Sequence, residues 1–194
     1  MTVTEPTGFR RPEGWSVSTA FRVGVRKAAP EELPAIGEML ERAYAASYQL
    51  DEHYRQELRH LERFAPHADV WAAFEDDRPV GALVVPARGE PGHYVAGPPE
   101  PELGFRMLGV DPDFRGRGIA QTLIEFVAAL ARERGMRRIG IYSGEHMLQA
   151  HGLYRRLGFI REPWRDTTVH ATEMVRLFAF ALLLNPPASG GGPS

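Results

Sequence analysis

The most restrictive feature of this sequence is the stretch Val110-Asp-Pro-Asp-Phe-Arg-Gly-Arg-Gly-Ile-Ala120. The residues before it alternate as a strand does, and Pro112 stops that strand by removing a backbone donor. Gly116 and Gly118 form a turn. Directly after it Ile119, Leu123, Ile124, Val127 and Leu130 recur at helical spacing as far as Gly135. A strand, a glycine turn and a long helix in immediate succession leave the first helical N–H groups without carbonyl partners. Together with the positive end of the helix dipole they make a site for a phosphate. Gly116 and Gly118 let a ligand approach the backbone closely, and Arg115 and Arg117 would add charge-assisted contacts. The plainer alternative is a surface turn with solvated arginines; the flanking strand and helix favour the phosphate reading.

The rest of the chain supplies a frame for this unit. Phe21 to Arg26 alternates as a short strand. Pro30, Glu31 and Glu32 open a helix whose apolar face is Ile36, Met39, Leu40, Ala43 and Tyr44. Asp51 is placed to cap a second helix bearing Tyr54, Leu58 and Leu61. Val70 to Glu75 and Pro79 to Val85 read as a hairpin turning at Asp76-Asp77-Arg78, and Leu103 to Val110 as one further long strand. Arg138 to Tyr142, Gly158 to Arg161 and Met174 to Leu183 are strands, with a helix over Leu148 to Leu157. This order predicts an α/β (mixed α+β) fold, with a mostly antiparallel sheet of six to seven strands and helices on both faces. Residues 1–19 read as a loose arm and 185–194 as a Pro/Gly/Ser tail, leaving 20–184 as the domain.

Composition narrows the function. A net charge of −2 with no clustered Lys and Arg offers no field for nucleic acid. The absence of cysteine excludes disulfides, thiolate metal sites and a cysteine nucleophile. Seven histidines with no i, i+4 pair argue against a metal. The longest apolar run, Leu177 to Leu184, is too short for a bilayer, and the N-terminal residues lack an apolar leader. The expectation is a cytoplasmic protein without a membrane partner. The apolar final strand could pair within the chain or across a homodimer, and both readings stand.

Arg115-Gly-Arg-Gly118-Ile-Ala120 resembles the Gln/Arg-x-x-Gly-x-Gly/Ala signature of the GNAT superfamily. Ala150-His-Gly-Leu-Tyr-Arg-Arg-Leu-Gly-Phe159 is similar to its Ala-x-x-Leu-Tyr-x-x-Leu-Gly-Phe segment, one helix and one strand downstream. The resemblance implies an acetyl-CoA-dependent N-acetyltransferase. The acceptor would be a primary amine of a small molecule, attacking directly in a ternary complex. Pantetheine would lie along the backbone of Leu108, Gly109 and Val110, and pyrophosphate on the N–H groups of Arg115, Gly116, Arg117, Gly118, Ile119 and Ala120. No metal is implied.

By the same resemblance Tyr154 is the acid that protonates the departing sulfur, against a plain packing role beside Leu153 and Leu157. The base is less regular. Relatives often carry a glutamate where this chain has Gly104, so Glu102 is the candidate substitute. Two residues along a strand displace a carboxylate by about 6.6 Å, so loss of the proton to water stays open. Met147 stands where relatives often have asparagine, which brings His146 into consideration. The acceptor pocket is expected to draw on Tyr44, Tyr48 and His53 and on the loop holding His93 and Tyr94. Gly104 and Met147 also keep alive a catalytically weak acyl-CoA-binding or sensing module.

Overall fold

A computed structural model describes residues 23–65, 67–90, 101–170 and 174–184. The proposed arm and tail, and the loop with His93 and Tyr94, lie outside the described residues. The first strand, β1 (Gly24–Lys27), leads through a short 3-10 turn (Pro30–Glu32) into α1 (Leu33–Ala45). There Arg26 donates to both carboxylate oxygens of Glu32, which also accepts from the Ala29 N–H. Asp51 caps α2 (Glu52–Arg59), accepting at 2.8 Å from the Tyr54 N–H, while Leu61 falls in the 3-10 turn beyond the helix.

Next come β2 (Ala68–Glu75) and β3 (Arg78–Pro86), joined at Asp76 and Asp77, with Asp76 in the left-handed region. Strands β1, β2, β3 and β5 (Arg106–Val110) form one antiparallel sheet. Alternation sends Ala72, Ala82 and Val84 to one face, where they meet Ile36, Met39 and Leu40 of α1 and Leu58 of α2. It sends Ala73, Leu83 and Val85 to the other, against Leu123, Ile124 and Val127 of α3 (Ile119–Glu133). Helices therefore cover both faces, as the element order implied.

The second sheet is built from β4 (Glu102–Gly104), β6 (Arg138–Gly144), β9 (Met174–Leu183) and β7 (Ile160–Arg161) in that order, with β8 (Thr167–His170) also on β9. Among the described strands only β4 and β6 run parallel. Helix α4 (Leu148–Arg156) packs through Tyr154 onto Phe180 of β9. Nine short strands among the described residues exceed the six to seven expected, for two reasons. The polar Thr167–His170 carries no apolar alternation to announce it. And Leu103 to Val110 is not one strand: its first part pairs with β6 and its second with β3, the change of partner falling at Phe105.

The final strand is satisfied within the chain. One edge of β9 pairs with β6 over Leu177–Leu183, and the other takes β8 and then β7. The intramolecular reading of that strand is the one observed.

Candidate active site

The change of partner at Phe105 opens the molecule. Before it the chain lies against β6, with the Phe105 N–H bonded to the Gly140 carbonyl; after it β5 turns away toward β3. A bulge sharpens the divergence. Between the pairs Ala82↔Gly109 and Val84↔Arg106, Met107 and Leu108 together face Leu83, and Met107 takes φ +57°. The inner edge of β5 thus parts from β6 and leaves a cleft of about 1140 Å³ between them.

One wall of this cleft is β5, including Leu108, Gly109 and Val110; the facing wall is Ile141 to Gly144 and α4 through Tyr154. At one end lies the start of α3. Gly118 caps that helix with φ +81° and Gly116 has φ +77°, conformations that favour glycine, and a Cβ at either would meet nothing within 4 Å. The first intrahelical bond at this end is Thr122 N–H to Gly118 C=O, so the preceding N–H groups face an open cradle. Its shape and polarity fit a phosphate.

Of the residues expected to hold the cofactor, Leu108, Gly109, Val110, Arg115, Gly116, Gly118, Ile119 and Ala120 line the cleft. Arg117 does not: it donates to the Asp113 carbonyl, lies 3.8 Å from Glu75 and stacks on Phe114. Arg115 donates at 2.6 Å to the Ala43 carbonyl at the end of α1, tying the turn to that helix. Asp111, almost wholly buried, accepts from Arg42, Arg78 and the Asp113 N–H and anchors the turn's beginning. Burial pushes its carboxyl up, but these donors outweigh burial and hold it below the ordinary range. Nothing local announces this anchor, because Asp-Pro reads first as a strand stop.

Tyr154 is buried at the inner end of the cleft, its ring against Phe105, Phe159 and Phe180. Tyr44 lies near it and packs on Tyr48 and Tyr54. Burial, then the neighbouring phenols of Tyr54 and Tyr154, push Tyr44 well above the usual phenol range. Tyr48 is raised by burial and pulled back by a backbone hydrogen bond at Ala150 and by the Arg115 charge. Tyr44, Tyr48 and His53 all line the cleft, as do Tyr54, Glu57 and His146. His146 meets Tyr48 edge to face at 6.2 Å.

Glu102 is not in this cleft. It lies across Gly140, where any Cβ would collide with its carboxylate, and accepts from Arg138 Nε at 2.9 Å and from both terminal nitrogens of Arg165 at 2.8 Å. Glu162 completes a buried group of two acids and two arginines. Burial raises the Glu162 carboxyl, yet the hydrogen bonds from Arg138 and Arg165 leave it below the ordinary range. The reading of Glu102 as a base set it, by strand alternation, on the same side as Gly104. The structure places it in an ion-pair core, away from the proposed reaction.

An acetyltransferase (GNAT) family model matches residues 33–159. The chain belongs to the GNAT acetyltransferase family, the acetyl-CoA-dependent N-acetyltransferases. This acetyltransferase is 31% identical over 140 residues to the peptidyl-lysine N-acetyltransferase YjaB of Salmonella typhimurium, covering 71% of this chain and 83% of that protein. It is 34% identical over 90 residues to the mycothiol acetyltransferase of Cellulomonas flavigena, but that match covers 42% of this chain and only 26% of the relative. Its fold is shared by yncA of Salmonella typhimurium, solved with its cofactor acetyl-CoA: TM-score 0.56, 17% identity, 89% of this chain and 98% of that one. Among the described residues no group of three or more His, Asp or Glu could hold a metal ion, and no helix is long and apolar enough to cross a membrane.

Proposed function

We propose that this chain transfers an acetyl group from acetyl-CoA to a primary amine of a small molecule, by direct attack within a ternary complex. The observation that carries the reading is the pairing of an open, glycine-lined helix start with a cleft between parted strands. Pyrophosphate would rest on the N–H groups at the start of α3, with Gly116 and Gly118 allowing the approach and Arg115 adding charge. The edge of β5 at Leu108 to Val110 would bond the pantetheine amides as a neighbouring strand would. The acyl thioester then lies beside Tyr154, whose phenol protonates the leaving sulfur. The acceptor enters past Tyr48, Tyr54 and His53. With Glu102 enclosed by arginines, the acceptor's proton goes to water rather than to that carboxylate. Because acetyl-CoA is an intracellular metabolite, this reading places the protein in the cytoplasm.

The same removal of Glu102 from the cleft favours one second reading, a catalytically weak acyl-CoA-binding or sensing module. Release of CoA thiol, measured over a panel of small amines and lysine-bearing peptides, separates the two. Turnover on a small amine exceeding that on peptides supports the proposal. Tight acetyl-CoA binding without turnover on any acceptor favours the module.

A further inference from the structure

Besides its phenols, the cleft is lined by the buried hydroxyl of Ser143. Ser143, near the end of β6, is 4% exposed and lines the cleft. In the β6–β9 register it is paired with Phe178, and Ile141 with Phe180, so Ser143 and Ile141 point to one sheet face. That is the face on which α4 lies: Tyr154 packs on Phe180, and His151 on Phe178 and Phe180. Ser143 and Tyr154 therefore approach the cleft from one side.

The partner of this buried hydroxyl is unusual. Ser143 Oγ donates to Met147 Sδ at 3.6 Å, and a thioether is a weak acceptor. A buried donor held by so poor a partner gains when a stronger acceptor arrives, and an anionic sulfur is one. Met147 itself lines the cleft and packs on the core beneath α1 and α2, so its sulfur stands where the hydroxyl meets the open space.

We propose that Ser143 is a second hydrogen-bond donor to the sulfur of CoA, exchanging the Met147 thioether for the thiolate that forms as the acyl group leaves. This rests on the reading that acetyl-CoA occupies the cleft. In the step, the acceptor nitrogen bonds to the acetyl carbon, the carbon–sulfur bond breaks, and its electron pair leaves on sulfur. Tyr154 delivers its phenolic proton to that sulfur. Ser143 keeps its proton and lowers the energy of the developing charge. The nitrogen, positive after attack, releases its extra proton to water, and the phenolate takes one back. Amine and acetyl-CoA become amide and CoA thiol.

The test reads the thiol of bound CoA directly, by the ultraviolet absorbance of the thiolate as pH is raised. A free alkylthiol titrates near 8.5. In the unmodified protein the bound thiol should titrate lower. In Ser143→Ala it should move up by about one pH unit, equivalent to about 1.4 kcal/mol, while calorimetry at a pH where the thiol is protonated gives an unchanged Kd for CoA. Met147→Leu, which removes only the competing acceptor, should keep the low value. In Tyr154→Phe the thiol should still titrate below free CoA; a return there to the free value overturns the proposal without reliance on the serine variant. An equal titration in Ser143→Ala and the unmodified protein also overturns it. If the unmodified protein binds no CoA, the cofactor reading and this inference fall together, whereas normal binding with an unmoved thiol refutes the role of Ser143 alone.

Discussion

Replacing Glu102 by glutamine separates a structural carboxylate from a catalytic one. The native side chain is 6% exposed and takes three charge-assisted hydrogen bonds, one from Arg138 and two from Arg165. Glutamine has nearly the same shape but no charge, so two buried arginines are left facing the single carboxylate of Glu162. Breaking a buried ion pair from one side costs about 3–5 kcal/mol. For a domain of this size each kcal/mol moves the melting temperature by about 2–4 °C, so the midpoint should fall by roughly 6–20 °C. Differential scanning fluorimetry reads this directly. Activity assayed well below the lowered midpoint should stay within about twofold, and the acidic limb of the pH–rate profile should survive and follow the pKa of each amine tested. A variant of unchanged stability that loses about 10²-fold in kcat/KM, together with its acidic limb, would refute the reasoning and return Glu102 to the role of base.

Gly118→Val should weaken acetyl-CoA binding at least about tenfold, or about 1.4 kcal/mol, through a side chain over the α3 amides and strain at φ +81°; calorimetry on the folded variant checks it, and Arg117→Ala should stay within about threefold. Tyr154→Phe should lower kcat by about 10²-fold or more with little change in Kd for acetyl-CoA; turnover within twofold of the parent would make Tyr154 a packing residue. His151 is held below the usual imidazole range by burial, against a backbone hydrogen bond at Gly144. The folded state then binds fewer protons than the unfolded, so this contribution is complete above about pH 6.5 and is lost as pH falls below it. Urea denaturation should show a steeper acid-side loss in the parent than in His151→Gln.

The glycine turn between β5 and α3 was legible because its cues are local: Pro112, two glycines and the 3.6-residue period that follows all lie within one stretch. The faces of α1 and α3 were legible for the same reason, and their apolar residues are buried except Leu130, which is partly so. What escaped depends on distant partners. Glu102 reads as a strand-start carboxylate until Arg138 and Arg165, far along the chain, close on it. Leu103 to Val110 reads as one strand because alternation does not reveal a change of neighbour, and the bulge at Met107 bears no glycine to mark its positive φ. Ser143 is an ordinary strand serine until the fold sets it beside Met147.

The point at which the chain changes partner also sets an aromatic backing behind the cleft. Phe105 is buried there, its ring edge-on to Tyr154 at 6.5 Å and to Phe159 at 6.4 Å. Tyr154 lines the open space and Phe105 does not, so Phe105 bears on that space only through the phenol ring it braces. Trimming Phe105 to leucine would loosen the brace. Turnover should then fall, while affinity for CoA itself, assigned to the glycine turn at the start of α3, stays where it was.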